Sequence, residues 1–102
     1  MSRLFEFDPA ARADLREIAR YSRKQWGEVR GKVYTDALKR CIEDLAQGIG
    51  FYKDLSAISP HLRMVLCQHH YVFMLPRENA PAVVIAILHE RMDIIARLKA
   101  RL

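Results

Sequence analysis

The stretch Ala82-Val83-Val84-Ile85-Ala86-Ile87-Leu88 is an unbroken apolar run without alternating polar positions. A strand with one face in water alternates apolar and polar side chains, whereas a strand covered on both faces does not. The run is far shorter than the roughly 20 residues that a membrane span needs. It therefore predicts a central strand over Ala82–Leu88 that the rest of the fold covers on both faces.

Two further strands are predicted upstream, over Leu62–Cys67 and His70–Leu75. The segment Pro76–Pro81 carries the proline and asparagine that are typical of turns, and it separates the second of these strands from the central strand. Gln68-His69 is not a preferred two-residue hairpin pair, so the register of that first turn stays open. Together the three strands predict an antiparallel meander.

Two amphipathic helices are predicted before the strands. Asp8 is a favourable N-cap and Pro9 a favourable first helical residue, so the first helix begins here and closes at Trp26-Gly27. From Glu28 onward apolar residues recur at steps of three and four until Gly48, which ends the second helix. Because the connection is short, the two helices should form an antiparallel hairpin whose apolar stripes face the sheet.

Short elements are expected at both termini. Arg3–Phe7 has the period-two pattern of a half-buried strand, and Asp93 can cap a short helix from Ile94 onward. The predicted fold class is therefore α+β, with an N-terminal strand, an α-helical hairpin packed on a small antiparallel β-sheet and a short C-terminal helix. A chain of this length should form a single domain over residues 1–102.

Composition and charge favour a globular protein with anionic partners. Hydrophobic residues make up 51% of the chain and charged residues 28%, which is the balance of a folded domain rather than a disordered or fibrous chain. Lys and Arg number 17 against 12 Asp and Glu, so the net charge is +5. Such a charge favours nucleic acid or an acidic protein segment as partner.

The predicted location is the cytoplasm. The N-terminus alternates apolar and polar residues and lacks the basic and apolar regions of a secretory signal, and no membrane span is expected. Cys41 and Cys67 are too few for a disulfide framework and lack C-x-x-C spacing. Two reduced thiols in the core, in a reducing compartment, are therefore expected.

A stripe of basic residues forms the first candidate site. Its four members are spaced four apart along the first helix: Arg12, Arg16, Arg20 and Lys24. Like charges at this spacing destabilise a helix by about 0.2–0.5 kcal/mol per pair, so a bound anionic partner would offset a real cost. The alternative is a solvated face that Asp14 and Glu17 partly neutralise.

The segment His89-Glu90-Arg91-Met92-Asp93, directly after the central strand, is the second candidate site. Functional side chains concentrate where strands end and loops begin. Arg63, early in the first meander strand, is expected close to this segment if the strands pair in antiparallel order. Together these residues could bind phosphate, or His89 and Glu90 could transfer protons. The alternative is a salt-bridged strand terminus.

Metal and cofactor sites are not expected. The four histidines, His61, His69, His70 and His89, show neither H-E-x-x-H nor Cys/His pair spacing. His70 begins an apolar strand and is expected to be a packed, hydrogen-bonded side chain. The motifs G-x-S-x-G, G-x-G-x-x-G and the P-loop are missing, which excludes the commonest hydrolase and nucleotide-binding signatures.

Four segments stand in an order that is specific as a set, although each alone is weak. They are Asp8–Tyr21, Trp26-Gly27, Tyr34 and Ile87–Asp93. The set resembles the ParE branch of the RelE/ParE toxin superfamily, over nearly the whole chain. This resemblance implies the hairpin-on-sheet fold and the toxin half of a type II toxin–antitoxin pair. The partner it implies is a ParD-like antitoxin whose C-terminal segment folds along the toxin on binding.

The same resemblance implies DNA gyrase as the target, trapped on cleaved DNA, with no catalytic reaction of the toxin's own. The positive charge of the basic stripe suits such an antitoxin, which is expected to bind there. The resemblance further implies that Arg63, His70 and His89–Asp93 contact the target or cause toxicity. Trp26 and Tyr34 are implied to pack the hairpin.

Two alternatives stay open. Toxins of the RelE branch cut mRNA on the ribosome, and His89, Glu90, Arg63 and Arg91 would then supply acid–base and phosphate-stabilising groups. That branch often carries a C-terminal tyrosine or histidine, but no tyrosine follows Tyr71 in this chain. The other alternative is a partner-binding module without toxicity, which a harmless phenotype on expression without antitoxin would indicate.

Overall fold

A five-stranded sheet carries a helical hairpin on one face and a short helix on the other, in the computed structural model, which describes residues 4–102. The elements in chain order are β1 (Phe5–Phe7), α1 (Pro9–Gln47), β2 (Lys53–Asp54), β3 (Arg63–Cys67), β4 (His70–Arg77), β5 (Ala80–His89) and α2 (Ile94–Arg101). The strand order is β1-β5-β4-β3-β2. The predicted α+β class is confirmed. Within the described residues no helix is long and apolar enough to cross a bilayer.

A glycine divides α1 into the two arms of the predicted hairpin. Gly27 has φ 85°, a left-handed conformation that costs glycine little and other residues more, so the first arm covers residues 9–26 and the second 28–47. A Cβ at Gly31 would lie 3.0 Å from the backbone nitrogen of Arg23. The arms therefore approach so closely that any side chain at Gly31 would push them apart by a few tenths of an ångström.

Local chemistry sets the outer ends of the helices as predicted. The Asp8 side chain accepts a hydrogen bond from the first turn of α1, and Gly48, with φ 71°, closes its second arm. Asp93 caps α2 in the same way through its side chain.

The central strand β5 is covered on both faces, as predicted, and a β-bulge places two consecutive residues on the same face. The register with β4 shifts between Phe73 and Met74, which leaves Ile85 without a partner on β4. Ile85 and Ala86 consequently both join the core beneath α2, whereas the residues on either side of them join the core beneath α1. Burial of both faces explains why the sequence of this strand is a continuous apolar run. The bulge explains why two adjacent residues of the run lie on the same face.

Side chains complete the hydrogen bonding of β5 where β1 ends. β1 pairs with β5 only as far as Val84, in parallel. Beyond it the N–H of Ile87 donates to the Asp14 carboxylate at 3.0 Å, and the Arg101 guanidinium donates to the Ile85 carbonyl at 3.1 Å. Arg101 also donates twice to Asp14, at 2.8 and 2.9 Å. Asp14 therefore joins three elements and does not neutralise the basic stripe. Of the two carboxylates in the alternative drawn from the sequence, only Glu17 pairs with the stripe, at Arg20.

Three features of the sheet differ from the prediction. The expected turn Pro76–Pro81 is mostly strand, because β4 runs to Arg77 and β5 begins at Ala80. Asn79 has φ 55°, a conformation that asparagine tolerates, so a two-residue turn suffices. The linker before β3 contains the short strand β2. The terminal strand β1 pairs parallel to β5, and its predicted first residue, Arg3, lies outside the described residues.

The two cysteines form a disulfide, so the expectation of two reduced thiols is wrong. Cys41 lies on the second arm of α1 and Cys67 at the end of β3, with their Cα atoms 6.2 Å apart. The bond joins the helical hairpin to the sheet across a sequence separation of 26 residues. Spacing along the chain gives no sign of this contact, because packing of the hairpin on the sheet brings the residues together.

Breaking the disulfide should lower the free energy of unfolding by about 2–4 kcal/mol, because the reduced chain gains conformational freedom when it unfolds. Urea denaturation with and without dithiothreitol measures the change, and the double variant Cys41→Ala, Cys67→Ala should not respond to the reductant. Alkylation of both thiols without prior reduction would show that the bond is not formed.

Candidate functional site

The end of β5 meets the start of β4 and the turn that precedes it. His70 pairs with His89 across the two strands, and their rings lie 5.0 Å apart. The His69 ring stacks against that of His89 at 6.5 Å. We call the polar residues gathered here the strand-end cluster; they are Tyr34, His69, His70, His89, Glu90 and Arg91. It contains the predicted residues His70, His89, Glu90 and Arg91.

A chain of hydrogen bonds runs from the β3–β4 turn through the hairpin to the sheet. The His69 backbone N–H donates to the Tyr34 hydroxyl at 3.2 Å, and that hydroxyl lies 2.6 Å from His70 Nδ1. Burial raises the pKa of Tyr34, so its hydroxyl keeps its proton. Because this oxygen already accepts from the His69 N–H, we assign its proton to the bond with Nδ1. Burial, reinforced by His89 and His69, lowers the pKa of His70 to about 4. His70 is therefore neutral near pH 7, with its own proton on Nε2.

The outer part of the cluster is more exposed. His69 Nδ1 lies 2.5 Å from a Glu90 carboxylate oxygen, and the Arg91 backbone N–H donates to His89 Nδ1 at 3.1 Å. A hydrogen bond between such exposed side chains stabilises little, which suits a polar strand terminus. In the described part of the chain, no group of three or more His, Cys, Asp or Glu side chains is placed to hold a metal ion.

A cavity of about 350 Å³ opens between the strand-end cluster and the hairpin. Besides the cluster, it is lined by Tyr21 and Ser22 of the first arm and by Trp26 at the hairpin turn. Tyr21 is 60% exposed and Trp26 42%. The Trp26 ring lies 5.5 Å from the Tyr34 ring. We call this space the aromatic cavity.

Arg63 lies away from the cluster, so its expected proximity to His89 is wrong. Arg63 pairs with Met74, which in turn pairs with Val84, in the middle of β5 rather than at its end. Its guanidinium donates to the Leu45 carbonyl at 3.1 Å. In an antiparallel meander the first strand begins beside the start of the third, not its end. The four residues suggested for a RelE-like nuclease are therefore not assembled in one site.

Met92 and Asp93 also lie outside the aromatic cavity. The Asp93 carboxylate accepts from the Ala96 backbone N–H at 3.4 Å, and this bond begins α2. Met92 is 44% exposed and borders a separate cavity that contains the Asp14–Arg101 pair. Only His89, Glu90 and Arg91 of the predicted segment therefore line the aromatic cavity.

The basic stripe is exposed along the first arm, as expected. All four of its residues are exposed, and Arg20 approaches Glu17 at 3.3 Å. Both side chains of that pair are about 70% exposed, at 71% and 68%, so the pair stabilises little. The stripe's role in antitoxin binding stays a prediction.

Known proteins resemble this chain in sequence and in fold. The family model described as the ParE toxin of the type II toxin-antitoxin system parDE matches residues 5–94. The chain belongs to the ParE toxin family.

Two curated relatives span nearly the whole chain. Toxin ParE of Escherichia coli is 53% identical over 92 residues, which cover 90% of this chain and 89% of that protein. Toxin ParE1 of Mycobacterium tuberculosis (strain ATCC 25618 / H37Rv) is 28% identical over 94 residues, covering 92% of this chain and 96% of the relative. The resemblance drawn from the sequence is confirmed.

A solved structure of the chromosomal ParDE TA system from P. aeruginosa contains a chain with the same fold. Its TM-score is 0.67 at 15% sequence identity, with 87% of this chain and 95% of that chain covered. At that identity the match supports the hairpin-on-sheet fold, which agrees with the expectation from hydrophobic periodicity.

Sequence reasoning missed three residues that shape the site in this ParE-family toxin. Tyr21 and His69 had no assigned role, and Trp26 was expected only to pack the hairpin. An aromatic pair that flanks a helix-ending glycine, as Trp26 and Tyr34 flank Gly27, could have pointed to the hairpin turn. The hydrogen bond from Tyr34 to His70 has no signal in the sequence.

The low pKa of His70 makes folding sensitive to acid. The unfolded chain takes up this proton near the ordinary pKa of about 6.5, whereas the folded chain resists it until about pH 4. The stabilisation is therefore present above pH 6.5 and is lost as the pH falls towards 4. Urea denaturation across this range should show a steeper loss for the wild type than for His70→Gln.

His61→Gln, which removes an exposed histidine from the loop before β3, controls for the loss of one histidine. An NMR titration of His70 with a midpoint near 6.5 would contradict the prediction.

Proposed function

We propose that this toxin inhibits DNA gyrase in the cytoplasm and is neutralised by a ParD-like antitoxin. The observation that carries the proposal is membership of the ParE family over residues 5–94, a range that includes both arms of the hairpin and the whole sheet. Inhibition by contact needs an exposed binding surface and no assembled set of catalytic groups. The strand-end cluster and the basic stripe are two such surfaces.

The basic stripe suits an acidic segment of the antitoxin. Its charges repel one another along the helix, and Asp14, the nearest carboxylate in sequence to Arg12, is committed to Arg101. A partner with carboxylates at matching spacing would relieve this repulsion and gain from long-range attraction to a chain of net charge +5. The antitoxin is therefore expected to bind along the first arm of α1.

Charge reversal of the stripe should weaken antitoxin binding. We expect the double variant Arg16→Glu, Arg20→Glu to raise the Kd about tenfold or more at low salt, and to reduce its dependence on salt. Titration calorimetry at two salt concentrations measures both effects. The matched control Lys53→Glu, Lys99→Glu makes the same change in net charge on β2 and α2, and should bind nearly as the wild type. Equal losses of affinity in the two double variants would show that the stripe is a solvated face and does not bind the antitoxin.

We assign the gyrase contact to the strand-end cluster. Glu90 and Arg91 are exposed there, whereas Asp93 is used to cap α2 and Arg63 is bonded to the Leu45 carbonyl, away from the cluster. The cluster is held by hydrogen bonds among the hairpin, β4 and β5, so it presents its side chains in a defined arrangement.

Incubation of the toxin with gyrase, ATP and supercoiled plasmid tests the target. Trapped double-strand breaks should appear as linear DNA after detergent and protease treatment, only when gyrase and toxin are both present. Arg91→Ala should reduce the linear product several-fold, and Lys99→Ala, an exposed cation on α2, serves as its control. An intact plasmid, in a reaction where a small-molecule gyrase poison gives linear DNA, would reject gyrase as the target.

A further inference from the structure

Two aromatic side chains that line the aromatic cavity remain partly exposed. The Tyr21 and Trp26 rings lie 6.5 Å apart and nearly perpendicular, at 82°, and both are substantially exposed. An aromatic face exposed at the mouth of a cavity offers a stacking surface to a planar ligand. Unpaired nucleic-acid bases are recognised in this way, because each base has a π-face.

The same cavity is also lined by hydrogen-bonding groups whose partners are defined. His70 accepts from the Tyr34 hydroxyl at Nδ1, so its remaining N–H, on Nε2, is a donor. The His69 ring is held by Glu90 through Nδ1. Groups with such defined roles can read the edge of a base that stacks against the aromatic wall.

Arg91 supplies a cation at the same cavity. Its side chain is exposed, and within residues 4–102 it forms no salt bridge, while its backbone N–H is bound to His89. A guanidinium forms strong paired hydrogen bonds with phosphate oxygens. The net charge of +5 adds long-range attraction for a polyanion.

We propose that the aromatic cavity binds one unpaired nucleotide of a single nucleic-acid strand, with the base stacked on the Tyr21 ring and edge-on to Trp26, and with the phosphate at Arg91. The cavity volume of about 350 Å³ falls within the range of small-ligand pockets, roughly 300–1,000 Å³. A base stacked in a duplex cannot enter, since its faces are already covered. The proposal goes beyond gyrase inhibition and does not depend on it, because binding is measured without gyrase.

Trp26 is the only tryptophan in the chain, so its fluorescence reports on the cavity directly. The intact toxin is titrated at low salt with oligothymidylate and oligouridylate of about eight nucleotides, and with a DNA duplex of equal length. We expect at least one of the two single strands to quench the Trp26 fluorescence. Its affinity for the toxin should be at least about tenfold higher than that of the duplex. The affinities for oligothymidylate and oligouridylate, compared with each other, show whether the cavity prefers a nucleotide of DNA or of RNA.

Two substitutions test the assigned roles. Tyr21→Ala should weaken single-strand binding about tenfold by removing a stacking wall, and Arg91→Ala should weaken it and lower its dependence on salt. Tyr52→Ala and Lys99→Ala are the matched controls, since they remove an exposed aromatic ring and an exposed cation elsewhere. Circular dichroism verifies that each variant folds.

Two results would overturn the proposal. Equal affinity for duplex and single strand, with equal losses in Arg91→Ala and Lys99→Ala, would mean non-specific attraction to a basic protein. The absence of quenching by any oligonucleotide would also reject it. If a ParD-like antitoxin or a gyrase subunit then quenched Trp26, the cavity would be a protein-docking surface instead.

Discussion

Burial of β5 on both faces is the constraint on which the other elements depend. Its apolar side chains need the hairpin on one side of the sheet and α2 on the other, and the bulge at Ile85 shares them between the two cores. Where β1 ends, Asp14 and Arg101 bind the backbone of β5 and each other. One mostly buried ion pair thus joins both helices to the central strand, and an unpaired partner there would be costly.

The site follows from where this strand ends. His89, the last residue of β5, lies beside His70 of β4. The Tyr34 hydroxyl of the hairpin forms a hydrogen bond with the same His70. The hairpin turn brings Trp26 over these residues and leaves its ring partly exposed. A rigid strand end thus supplies positioned polar groups, and the nearby hairpin turn supplies an aromatic wall. This combination suits recognition of a macromolecule better than turnover of a small molecule.

The disulfide makes the attachment of the hairpin to the sheet sensitive to redox conditions. Thiols are usually kept reduced in the cytoplasm, the location proposed above, so in that compartment the Cys41–Cys67 bond would depend on the redox state of its surroundings. The bond lies between the second arm and β3 and does not border the aromatic cavity. Its loss should therefore act first on stability rather than on the cavity.

The sequence by itself determined where the helices begin and end, because local interactions set these positions. Caps and glycines such as Asp8 and Gly27 act within one turn of helix, and the apolar run of β5 marks burial wherever the strand lies in the sheet. Only the tertiary structure decided the parallel pairing of β1, the distance of Arg63 from the strand-end cluster and the contact of Asp14 with Arg101. These depend on strand register and on residues far apart in the chain, whose meeting is set by packing of the whole fold rather than by their neighbours in sequence.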